Sequence, residues 1–77
     1  MRIAAILGLM YRDGYGGVTQ DYVEAYAWLK VSIASGNPRD RGLDVRARDR
    51  IAQQMTPKQI AKAEKLALNY YKKIKTK

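Results

Sequence analysis

Apolar residues run almost unbroken from Ile3 to Met10, and Arg12-Asp13 end the run. Ile3, Ala4, Ala5, Ile6, Leu7, Leu9 and Met10 surround a helical axis rather than lining one side of it. A helix apolar on all sides is expected to be buried on all sides. The stretch from Arg2 to Asp13 therefore reads as a first helix with more apolar surface than its own hairpin partner covers. Gly8 inside it costs about 1 kcal/mol relative to alanine, and is expected to let a neighbouring helix come close. The corner Gly14-Tyr15-Gly16-Gly17 follows, its glycines suited to positive φ in a turn.

A second periodic run spans about Thr19 or Asp21 to Ser35. Asp21 is placed to cap its first free N–H groups, and Glu24 suits the positive helix end. Tyr22, Ala25, Tyr26, Leu29 and Ile33 repeat at helical spacing, with Val23, Ala27, Val31 and Ala34 on the opposite side. A helix with two apolar stripes is expected to lie between the first helix and the tail. Trp28 falls between the stripes and is assigned to packing. Gly36 suits a left-handed residue just past the helix end. A third helix is expected from Asn37-Pro38 to Gln54, with Asn37 as cap and Pro38 at the first position. Gly42 leaves its start open between Pro38 and Leu43. Leu43, Ala47, Ile51 and Met55 step by four, and Asp44 with Arg48 makes an i,i+4 ion pair. Thr56 and Gln59 flank Pro57 as a capping box. They open a fourth helix running to about Lys73, with Ile60, Ala63, Ala67, Tyr70, Tyr71 and Ile74 on one arc and Lys58, Lys62, Lys65, Lys72 and Lys73 opposite. The end, Lys72 to Lys77, is expected to fray. No strand signal of any strength occurs. The pattern predicts an all-α chain of about four helices.

Leu7, Gly8, Tyr11, Gly14, Gly17, Val18, Asp21, Ala25, Trp28 and Gly36 stand at set offsets. In that arrangement the chain resembles a Sel-one-like repeat, an α/α unit related to the tetratricopeptide repeat. The match covers about one unit, residues 1–36. The tail, with Arg48-Asp49, Met55-Thr56-Pro57, Gln59 and Ala63, is similar to the degenerate hairpin that closes such arrays, giving a second unit at residues 37–77. The resemblance implies a solenoid-type stack of helical hairpins. It also implies a scaffold or adaptor role in protein–protein interaction, with the ten motif residues structural.

Charge changes the picture. The net charge is +8. Residues 1–36 hold three basic and three acidic side chains, while residues 37–77 hold twelve and four, so the whole excess lies in the second half. Such asymmetry raises an acidic partner as a possibility. There is no Cys and no His. That removes disulfides, His-dependent acid–base chemistry and nearly every zinc site. The glycine corner lacks the Lys-Ser/Thr and preceding strand of a phosphate loop. Asp40 and Asp44 sit among arginines, which favours ion pairing over acid–base work. No cofactor, metal or catalytic residue is expected, and the chain reads as non-enzymatic. The apolar run is short for a signal peptide and lacks a cleavage site. Nothing approaches the ~20 apolar residues of a membrane span. A cytoplasmic setting is the expectation.

Two functions remain. One is a protein–protein interaction module, with Tyr15, Tyr22, Trp28 and Val31 as candidate contacts, packing being the stronger reading for each. Its partner would be another protein, a second copy, or upstream repeats lying against the first helix. The alternative is a small helical nucleic-acid binder using the Lys/Arg surface of residues 39–77.

Overall fold

Helix boundaries follow the capping residues. The computed structural model describes residues 2–36 and 38–75. It contains α1 (Arg2–Asp13), α2 (Tyr22–Ser35), α3 (Pro38–Ala52) and α4 (Pro57–Lys75), with no strand among the described residues. The Asp21 carboxylate accepts the N–H groups of Val23 and Glu24 at 2.9 and 3.3 Å, fixing the start of α2. Thr56 and Gln59 form the reciprocal capping box: Gln59 Oε1 accepts the Thr56 N–H at 2.9 Å, and Thr56 Oγ1 accepts the Gln59 N–H at 3.2 Å. The expected cap of α3, Asn37, lies outside the described residues.

The α1–α2 corner is a Schellman-type stop. Gly14 has φ +67, and the Tyr15 N–H reaches back to the Met10 carbonyl at 3.0 Å. The Asp21 N–H then bonds the Tyr11 carbonyl at 2.8 Å, tying the end of the loop to α1. The left-handed helix stop therefore lies at Gly14. The expectation of one at Gly36 is corrected, since Gly36 has φ −91 and ψ 178, an extended conformation.

The core gathers around α2. Ala25, Ala27 and Leu29 have no exposed surface and Val31 has 1%. Tyr26 of α2, Ala4 of α1, Ile51 of α3, Met55, and Ala63 and Ala67 of α4 complete the buried cluster. Helices α1, α3 and α4 each pack extensively on α2 and much less on one another. The second half is thus not a self-packed hairpin, because α3 and α4 both lean on α2. The radius of gyration, 11.4 Å, is about that of a globule of this length. Gly8 is where α1 comes close to α2: a Cβ there would stand 2.9 Å from Leu29 Cγ and 3.1 Å from the Ala25 carbonyl oxygen.

Four local expectations are corrected. α3 stops at Ala52 instead of Gln54, and α4 continues to Lys75 instead of Lys73. Leu43 is 68% exposed, and Asp44 is buried in its stead. The Asp44–Arg48 pair does not form. Asp44 accepts a hydrogen bond from Ser32 Oγ at 2.7 Å, and Arg48 pairs with Asp49 at 3.1 Å.

Candidate interaction surface

In α1 two small residues face inward and three large ones outward. Ala4 and Gly8 are buried against α2. Ile3, Ile6 and Leu9 are 67%, 52% and 37% exposed. The spacing explains it: Ala4 and Gly8 are four apart on one side, and Ile3, Ile6 and Leu9 step by three along another. Small side chains let the helix axes approach, and the bulk of α1 is left pointing away. Met10, Asp13 and Tyr15 join Ile6 and Leu9 around a shallow depression of about 250 Å³. The rim is nearly uncharged. Its one acid, Asp13, accepts two hydrogen bonds from the Arg12 guanidinium at 2.8 and 2.9 Å. That bonding lowers the Asp13 carboxyl below its ordinary value and raises Arg12 above its own.

Of the four candidate contact residues, Tyr15 alone is freely exposed, at 74%. Val31 is buried and is corrected from candidate contact to core. Tyr22 is half-buried. Trp28 stacks on Tyr70 of α4, ring centroids 4.3 Å apart and planes 11° from parallel. Its aromatic face is occupied by the fold. The motif residues do not converge on one site. Gly8 and Ala25 lie at the α1–α2 contact, Gly14 and Gly17 have positive φ in the corner, and Asp21 caps α2.

The α2–α4 seam carries polar contacts that no local pattern announced. The Tyr70 hydroxyl donates to Glu24 at 2.8 Å, and burial together with that carboxylate pushes its pKa up to about 12. The Tyr26 hydroxyl approaches Glu64 at 3.4 Å, and its pKa is also raised, first by burial and then by the Glu64 charge. Glu64 further pairs with Lys30 at 3.5 Å. Beside this pair lies an open groove of about 260 Å³, walled by Val31 and Ala34 of α2 and by Leu68 and Tyr71 of α4. A smaller cleft of about 150 Å³ brings Arg12, Tyr22 and Arg50 together over Ile51. Leu68, 54% exposed, stands outside the apolar arc of α4.

Among the described residues, no three His, Cys, Asp or Glu side chains group as metal ligands would. No helix is long and apolar enough to cross a membrane. No family model, curated protein or solved structure matches the chain.

Proposed function

We propose that this chain is a non-enzymatic protein–protein interaction module of the Sel-one-like repeat type, and that the outer face of α1 is its binding surface. The observation that carries the reading is the exposure of Ile3, Ile6 and Leu9 on one side of a helix whose opposite side is already packed. A contiguous exposed apolar patch marks an interaction site more often than isolated exposed residues do. The ten motif residues support the repeat assignment for residues 1–36.

The occupant is a second copy of the chain. Two copies, each with its net +8 confined to residues 37–77, repel strongly through that half. The neutral half is the approach open to them, and α1 presents its apolar face there. A standard interface takes about 800 Å² per partner, roughly a seventh of the 5404 Å² surface of this chain.

Sedimentation or light scattering at tens of micromolar tests this. Self-association is expected, and Ile6→Glu should abolish it without loss of helix content, since Ile6 is more than half exposed. A wild-type chain that stays a folded monomer throughout that range overturns the proposal. So does an Ile6→Glu variant that still associates.

A further inference from the structure

Lys58, Lys62 and Lys65 are all exposed, and they recur at steps of four and three along α4. Asn69, Lys72 and Lys73 continue the same line. At 3.6 residues per turn, the six positions fall within about a third of the helix circumference, and Lys58 to Lys72 spans about 21 Å. The arc lies opposite Ala63 and Ala67, which α4 buries against α2.

Two structural facts sharpen this beyond a charge count. The one acid of α4, Glu64, is drawn to α2 by Lys30 and the Tyr26 hydroxyl, so no carboxylate of this helix interrupts the ridge. The ridge also carries no aromatic or large aliphatic side chain. Trp28 and Tyr70 are stacked on each other, and Leu68 lies to the flank. An interface with another protein needs an apolar centre. An interfacial membrane helix needs an apolar face to bury. This ridge offers neither. The ammonium groups of Lys58, Lys62 and Lys65 are exposed point charges on flexible stems. Such charges neutralise a regular polyanion through counterion release, with no apolar burial required.

We propose that the outer face of α4 docks on the phosphate backbone of duplex nucleic acid, without reading sequence. The site is separate from the α1 face and independent of the function proposed for it.

Fluorescence anisotropy of the intact chain with a labelled duplex of about 20 base pairs tests it, at about 50 and about 200 mM salt. Micromolar binding that weakens steeply with salt is expected. Replacing Lys58, Lys62 and Lys65 together with Gln should lower affinity at least about tenfold and flatten the log–log salt slope by about 2 to 3. The matched control replaces Arg39, Arg46 and Arg50 of α3 with Gln, removing the same charge elsewhere, and should lose much less. If the lysine triple variant loses helix content, Lys62→Gln alone should still reduce the slope by about 0.9. Absence of binding at the lower salt overturns the proposal. Equal losses from the two triple variants do so as well, as that is net charge without a site. So does retention of the chain by phosphatidylserine vesicles with no duplex binding.

Discussion

The Tyr70 hydroxyl is held by a carboxylate that must remain charged while the phenol remains neutral. Glu24 and Tyr70 sit on different helices, so their 2.8 Å bond is a tertiary contact. Tyr70→Phe keeps the ring stacked on Trp28 but leaves Glu24 without that donor, at a cost of about 1 kcal/mol at neutral pH. The raised pKa of about 12 means that the fold favours the neutral phenol. Its contribution is complete below the unfolded value of about 10 and is lost as pH rises through 12. Urea midpoints of wild type and Tyr70→Phe should therefore differ by a constant amount up to near pH 10, and the advantage of wild type should shrink above it. Lysine deprotonation affects both chains and cancels in the difference. A gap unchanged at pH 12 would show that the phenol proton is not coupled to folding. None of this was legible along the chain, because residues 24 and 70 are joined only by the packing of α4 on α2.

At the scale of elements, local signals carried far. The Asp21 cap, the Thr56–Gln59 box and the glycine corner each bear a stop or start written in adjacent residues, and three of the four helices follow them. The misreadings at Leu43 and at the Asp44–Arg48 pair have a common cause: they depend on which side of a helix meets a distant neighbour. In α3 a step of four residues advances 40° beyond a full turn. Leu43 and Ile51 are thus offset by about 80°, whereas Asp44 and Ile51, seven residues apart, fall within about 20° of each other and share the side toward α2. The structure buries the Met55 end and gives the place near Leu43 to Asp44, for which Ser32 supplies a donor. The outward Ile3–Ile6–Leu9 stripe was legible only as an excess of apolar surface, since sequence does not say which side α2 takes. The caps allow a comparison. Asp21→Ala removes an acceptor shared by two N–H groups, together with a favourable charge at the start of the central helix. Thr56→Ala removes one bond of 3.2 Å from an outer helix. Both fall within the 0.5–2 kcal/mol range of cap deletions, about 1.5 for Asp21 and about 0.7 for Thr56. Chemical denaturation of the two variants checks the order, and a larger loss from Thr56→Ala would contradict it.

The whole molecule sets its charge against its size. It measures 29 × 25 × 22 Å, and twelve of its fifteen basic side chains belong to residues 37–77. At about 0.01 M salt the screening length is about 30 Å, as wide as the molecule, so these charges repel one another across it; at about 0.1 M it is about 10 Å. The ion pairs Arg12–Asp13, Lys30–Glu64 and Arg48–Asp49 are all at least partly exposed, and each is worth little. Melting temperature should therefore rise over this tenfold increase in salt, and scanning calorimetry at the two concentrations measures it. A fall would mean that attraction between unlike charges outweighs the crowding of lysines and arginines.

With α2 in contact with every other helix, and those helices barely meeting, the chain resembles a wheel with its hub in the middle of the sequence. Fraying can begin at either rim, at α1 or at the far end of α4, and leave the remainder standing. Displacement of the hub leaves nothing for the spokes to rest on. Amide protons along α2 should then exchange with solvent only when the entire chain unravels, which makes Ala25 to Val31 the natural reporters of global unfolding.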